Sequence, residues 1–310
     1  FLDYISIPQA DPEAQKRAIA SLISYVSASA YFLCLAGPWT HEDGSSRDEM
    51  AWSERGWCRM EGIANFLSPK PKPVIQASSP SRIITYGPTG LIGRDFLASC
   101  RVGHGDFTVE SDRASLGPYL EQLIIARKAL ALSEGDMVMY RYLHATSSWL
   151  LDGCEVEARK EESFEEWMTS MRFQTATETG SGCEPIHFAA MTGRTDLVEA
   201  LLDRGASVES AVAKGLPNVQ LHKGATPLAI AAVYARDASV IELLLRRGAD
   251  PRAKVNFMGC TAIGCASSMG NIEGVKALMR HDPTLGEDVA DNGTGMLGAA
   301  FCQGHVKLLS

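Results

Sequence analysis

Trp57 and Glu61 stand four residues apart in Arg55-Gly-Trp57-Cys58-Arg59-Met60-Glu61, an aromatic ring and a carboxylate on one side of a helix. A carboxylate held where water is excluded stabilises positive charge that develops on a substrate. The same spacing also serves structure alone, with Trp57 in a core and Glu61 paired to Arg55 or Arg59 along the helix. Asp3, at the end of an apolar run, offers either a cap for a neighbouring helix dipole or a polar contact for a ligand. His104 and Asp106 are metal-ligand types, but each is a lone loop residue in a glycine-rich stretch, and the structural reading is preferred. Gly87, Gly90, Gly93, Gly103 and Gly105 punctuate that stretch without a following Lys-Ser/Thr, so no phosphate loop is expected. The eight cysteines form no C-x-x-C; free buried thiols, no metal and a reducing setting are expected.

The elements that must position Trp57 and Glu61 alternate strand and helix. Phe1 to Ser6 is short and apolar, and residues 13–28 carry Ile19, Leu22, Ile23 and Val26 at helical spacing. Asp11 caps that helix, with Pro12 at its first position. Tyr31 to Ala36 is a continuous apolar run, the mark of a central parallel strand. A helix follows from Trp57 to Leu67, ended by Ser68-Pro69-Lys-Pro-Lys-Pro73, and Val74 to Ala77 is a third strand. Strand-helix-strand-helix-strand implies right-handed crossovers and a parallel sheet.

Two segments of this module carry a resemblance. Leu2-Asp3-Tyr-Ile5-Ser6-Ile7-Pro8-Gln9 resembles the D-x-L-C-I-x-Q segment of fungal heterokaryon-incompatibility domains, and Arg55 to Glu61 resembles their R-x-W-x-x-Q-E segment, with Met60 in place of Gln. Those domains are related to Toll/interleukin-receptor (TIR) domains. The resemblance covers residues 1–77 and implies a flavodoxin-like, TIR-like α/β module lacking its first strand and helix. In NAD-cleaving members of that superfamily the glutamate of this motif is catalytic. The role passes by resemblance to Glu61, with Asp3 and Trp57 as cofactor-site residues and NAD as a substrate rather than a bound cofactor.

The second half of the chain repeats one pattern four times. Glu184-Pro-Ile-His-Phe-Ala, Thr226-Pro-Leu-Ala-Ile-Ala, Thr261-Ala-Ile-Gly-Cys-Ala and Gly295-Met-Leu-Gly-Ala-Ala begin at steps of 42, 35 and 34 residues. Pro185 and Pro227 suit a first helical position, where the missing N–H costs nothing. Gly193, Ala235, Gly270 and Gly304 occupy the turn nine residues on. A second helix then brings an apolar stripe: Leu197, Val198, Leu201 and Leu202, then Val240, Ile241, Leu244 and Leu245, then Val275, Leu278 and Met279. Gly205 and Gly248 close two of these helices with the left-handed residue such an end requires, and Asp282 holds that slot in the third copy. The pattern resembles the ankyrin repeat, whose units cannot bury their stripes singly and must stack.

The long first step places about eight extra residues between Ala211 and Lys223, in a fingertip loop. Leu216, Asn218, Leu221 and His222 of that loop, with Phe257 and Met258 at the next tip, are the expected partner contacts, together with the concave face. The last copy stops at Ser310 within its second helix and the chain opens inside a strand, so the sequence reads as a piece of a longer protein.

Between the two halves, Leu116, Leu120, Leu123, Ile124 and Leu130 mark an amphipathic helix. Another is expected from Glu155, with Phe164, Trp167, Met168 and Met171 on one side as a cap for the first repeat. Thr175 to Gly182 reads as a linker. The domain plan is therefore 1–110 an α/β module, 111–182 a helical connector and 183–310 an all-α ankyrin solenoid. A net charge of −8 argues against nucleic acid or an anionic membrane as partner. No apolar run reaches the ~18 residues that span a bilayer. The expected function is a cytoplasmic protein–protein interaction scaffold or signalling adaptor; the alternative is a TIR-like NAD glycohydrolase regulated by its repeats.

Overall fold

The computed structural model of the chain describes residues 11, 13, 14, 17, 18, 21–45, 48–79, 81–87, 101–157, 160–180, 182–215, 221–235, 237–255 and 259–302. Two compact units emerge, one of residues 1–130 with 150–157, the other of residues 131–149 with 158–310. These boundaries differ from the expected 110 and 182: the segment read as a connector is shared between the units.

In the first unit, α1 (Leu22–Ala28) leads into β1 (Phe32–Leu35), and α2 (Glu49–Glu54) into α3 (Gly56–Leu67). Asp48 caps α2 by accepting the Ala51 N–H at 3.0 Å. Three prolines after Ser68 stop α3. The buried Asn65 side chain then fixes the turn, donating to the Lys72 carbonyl at 3.0 Å and accepting the Lys72 N–H at 2.9 Å. This delivers β2 (Val74–Ser79) parallel to β1, with Phe32 opposite Val74 and Leu35 opposite Ala77. Helices α1 and α2 pack on α3, whose Met60, Ile63, Phe66 and Leu67 are buried.

The sheet agrees with the expected topology in the parallel pairing of β1 with β2 and departs from it in its third strand. β3 (Arg82–Tyr86) returns antiparallel on β2, so the described sheet is a mixed three-stranded one, ordered β1-β2-β3, and not the parallel flavodoxin-like sheet. β1 does not read as a central strand within it: it stands at the edge of this order, with Leu33 54% and Leu35 56% exposed. The expected strand at Phe1 to Ser6, with Asp3, lies outside the described residues.

Helix α4 (Ser111–Glu134) carries the expected stripe, with Leu116, Leu120 and Ile124 buried. The next helix, α5 (Met137–Leu150), has no counterpart in the sequence reading. The helix expected from Glu155 is instead the short α6 (Phe164–Ser170), because Ser163 and Glu166 form a reciprocal capping box that fixes its start.

Stacked pairs follow: α7 (Pro185–Thr192) with α8 (Thr195–Asp203), α9 (Pro227–Tyr234) with α10 (Ser239–Arg246), and α11 (Ala262–Ser268) with α12 (Ile272–His281). Then comes α13 (Met296–Cys302). First helices stack as α7-α9-α11-α13 and second helices as α6-α8-α10-α12. Gly193, Gly205, Gly248 and Gly270 adopt φ of 74°, 91°, 90° and 64°, the left-handed turns the repeat needs. Asp282 departs from that expectation: its backbone is extended, and its carboxylate caps a 3-10 turn, Pro283–Glu287.

Candidate partner-binding surface

The repeat tips are built from short backbone pairings. The Val212 N–H donates to the Ala225 carbonyl at 3.0 Å, Val255 to Cys260 at 3.0 Å and Ala290 to Thr294 at 2.9 Å. Successive tips are also joined, since the Ala213 N–H reaches the Gly182 carbonyl at 2.9 Å. Thus the segment read as a linker ends in a tip of the array. The inserted loop leaves from Val212 and returns at Ala225, so added length there does not disturb the stack.

His187 anchors the first tip from below. It is 1% exposed, its Nδ1 accepts the Glu184 N–H at 2.9 Å, and its Nε2–H donates to the Ser210 carbonyl at 2.9 Å. Burial holds its pKa below the ordinary histidine value, so the ring is kept neutral. In the second copy Ala229 takes this slot, and the Thr226 hydroxyl caps α9 by accepting the Ala229 N–H at 3.3 Å.

The expected contact residues divide. Leu221 is 3% exposed and packs inside. It is therefore withdrawn from the accessible surface. His222 is half-buried, and burial lowers its pKa. Leu216, Asn218, Phe257 and Met258 lie outside the described residues.

The inner-helix face changes character along the stack. Phe188 and Met191 of α7, and Ile230 and Tyr234 of α9, are all buried. On α11, Gly264, Cys265 and Ser268 are half-buried. Helix α9 has α7 and α11 beside it and α10 behind it. Tyr142 and Trp149 of α5 meet Tyr234 edge-on, at ring separations of 6.4 and 5.3 Å. The expected concave surface is therefore not open over its whole length.

The outer helices carry a ladder of ion pairs at the repeat period. Arg204 meets Glu165 at 3.5 Å, Arg247 meets Glu199 at 2.9 Å and Asp203 at 2.8 Å, and Arg280 meets Glu242 at 2.8 Å. Nearer the tips, Arg252 meets Asp282 at 2.7 Å and Lys254 meets Asp291 at 2.7 Å. The Arg252 bond, with help from Thr284, draws the Asp282 carboxyl down to about 2. The sequence signal for this ladder was a glutamate in one second helix and an arginine near the end of the next.

In the first unit, the motif residues sit on α3. Trp57 is half-exposed and donates its indole N–H to Asp112 at 2.9 Å, tying α3 to the start of α4. Arg59 donates to the Ser53 carbonyl at 2.7 Å and the Arg101 carbonyl at 3.1 Å, so its guanidinium fixes backbone. Glu61 is half-buried. His104 binds the Asp152 carboxylate at 2.8 Å, and Asp106 exchanges backbone hydrogen bonds with Glu54 and Gly56 at 2.7 and 2.9 Å. Close approach makes Gly103 obligatory, since a Cβ there would lie 2.2 Å from the Gly153 carbonyl carbon. Among the described residues no cluster of three or more metal-ligating side chains occurs. Six described cysteines are free thiols, and burial lifts Cys183 and Cys265 to about 12. Among the described residues no helix is long and apolar enough to cross a membrane.

Comparison with known proteins bears on the second unit. A family model of ankyrin repeats in three copies matches residues 149–255 and 208–293. Rabankyrin-5 of Homo sapiens is 28% identical over 133 residues, 42% of this chain and 10% of that protein. The B-cell lymphoma 3 protein homolog of Mus musculus is 30% identical over 118 residues, 38% of this chain and 24% of that protein. The chain thus spans about a tenth and about a quarter of the lengths of these curated relatives. The match begins before the first copy read from the sequence and takes in α6, whose Trp167, Met168 and Met171 are spaced like Leu197, Val198 and Leu201. The α-helical stack of this chain is an ankyrin-repeat region.

Proposed function

We propose that the protein is an interaction scaffold that binds a protein partner through the tips of its ankyrin repeats and the inner face of α11. The observation that carries this reading is the division of the inner face. It is buried and aromatic over α7 and α9, and half-buried over α11. The inserted loop above the first tip, with Leu216, Asn218 and His222, and the Phe257-Met258 tip supply the side chains for contact. Aromatic and long apolar anchors ringed by near-neutral contacts are the usual source of interface energy. A signalling-adaptor role and a cytoplasmic setting are part of the same proposal.

The test is recovery of partners on the immobilised full chain, compared with a deletion of residues 216–220 and with Phe257→Ala/Met258→Ala. Each variant is expected to lose at least tenfold in recovery of the same partner while keeping the parent's thermal midpoint. Undiminished recovery by both variants would move the site off the tips. No observation at α3 favours the NAD-cleaving alternative in the same way: Trp57 and Arg59 are accounted for by packing, and Glu61 rests on resemblance alone.

A further inference from the structure

Successive side chains of a strand point to opposite faces of its sheet, and the two faces of the β1-β2-β3 sheet differ. On one face Cys34, Val74 and Gln76 are 1%, 1% and 5% exposed. On the other, the register sets Leu33 beside Ile75 and Thr85, and Leu35 beside Ala77 and Ile83. Leu33, Leu35 and Ile83 are 54%, 56% and 61% exposed, Ile75 and Ala77 are half-buried, and Thr85 is exposed. None of these six side chains is charged. A sheet face left to water is ordinarily polar, and this one is apolar.

Two aromatic rings extend the open face along β1. Tyr31 stands just before the strand, in step with Leu33 and Leu35, and is 65% exposed. Beyond the other end, the Trp39 ring is 46% exposed and lies against Gly37, where a Cβ would fall 2.6 Å from the ring. Glycine thus leaves the place that the ring takes. At these exposures Tyr31, Leu33, Leu35, Trp39 and Ile83 each leave on the order of 100 Å² in water, together an apolar patch of the size that marks an interaction site.

We propose that this face is a homodimer interface, on which a second copy of the chain packs sheet against sheet about a two-fold axis. Area and charge select that occupant. Two such patches face to face withdraw on the order of 1,000 Å² from water, where specific interfaces between proteins begin. A two-fold axis brings like against like, which a charged face opposes and this uncharged one permits. Two sheet faces also pack directly, about 10 Å apart with their strands within about 30° of each other. Leu33, Leu35 and Ile83 of both copies form the centre of the interface, with Tyr31 and Trp39 as its aromatic anchors. The dimer carries two repeat arrays, so a partner that presents two binding segments is held at both and gains avidity. This goes beyond the scaffold reading and does not depend on it.

Sedimentation of the full chain over about a hundredfold range of concentration, up to about 0.1 mM, tests the interface. The wild type is expected to pass from monomer to dimer and no further, since a contact closed by a two-fold axis leaves no site for a third copy. Leu33→Lys/Leu35→Lys sets charge at the centre of the face, on side chains already half in water. It is expected to weaken association at least about tenfold, because like charges then meet across the axis. Ile83→Lys makes the same test from β3 and decides where the double variant does not fold. A wild type that stays monomeric throughout overturns the proposal, whatever else covers the face. So does a dimer that the folded variant leaves unweakened, and so does open-ended aggregation in place of a dimer. No partner protein enters these measurements, so failure here leaves the tip-binding reading standing.

Discussion

His187 shows how one residue can be legible in type and still yield its role only in three dimensions. Its place in the repeat motif is plain from the sequence, but the carbonyl of Ser210 that it binds is 23 residues away. The two hydrogen bonds need a neutral ring with the proton on Nε2; a protonated ring would set an Nδ1–H against the Glu184 N–H. Because burial lowers the folded-state pKa, the unfolded chain takes up the proton first as pH falls. The stabilisation is therefore complete above about 6.5 and is lost as pH falls from there toward the folded value. Urea unfolding at pH 7.5 and pH 5 should show the wild type weakening more than His187→Ala across that interval. At pH 7.5 the substitution itself should cost roughly 1–3 kcal/mol, since it orphans a buried donor and acceptor. His222 shifts in the same direction and is common to both proteins, so the difference isolates His187.

Elements with a single apolar stripe were legible, and those with mixed burial were not. The second helices of the repeats announce themselves because one face is apolar and the other charged. Helix α5 does not, since Arg141, Thr146 and Ser147 are buried alongside Tyr142 and Leu143. Thr146 and Ser147 satisfy their hydroxyls on the Tyr142 and Leu143 carbonyls of their own helix, which removes the usual cost of burying them. β3 was hidden for another reason: Arg82–Tyr86 has no apolar-polar alternation, since Ile83 and Ile84 are adjacent, and only the short return from β2 pairs it antiparallel. The end of α6 was equally unreadable, because Arg172 stands in a left-handed conformation where glycine is the usual choice. Arg172→Gly should accordingly stabilise the chain, by about 1 kcal/mol, against the small entropic penalty of glycine in the unfolded state. A midpoint shift to higher urea at unchanged slope is the expected reading. A lower midpoint would show that the Arg172 side chain contributes more than its backbone costs.

At the scale of the molecule, the repeat region follows a different rule from the first unit. Among the described residues, the most extensive contacts of its repeat helices are with their neighbours along the stack, and the ion pairs of Arg204, Arg247 and Arg280 bridge adjacent second helices. Each exposed pair contributes about 0–1 kcal/mol and less at high salt, so coupling between repeats rests mainly on buried side chains. Stability is then close to a sum of repeat and neighbour terms, and damage should stay local. Leu278 of α12 and Leu201 of α8 are both fully buried, and truncating either to alanine should remove roughly 2–5 kcal/mol. The consequences should nevertheless differ. Leu278→Ala weakens the end of the described stack, so α11 to α13 should lose exchange protection at lower urea while α7 to α10 keep theirs. Leu201→Ala strikes a second helix with α6 on one side and α10 on the other, and protection should fall across the array together. Peptide-level exchange along a urea series distinguishes the two. If both variants lose protection everywhere at one concentration, the stack is a single cooperative unit, and neighbour contacts alone do not describe its stability.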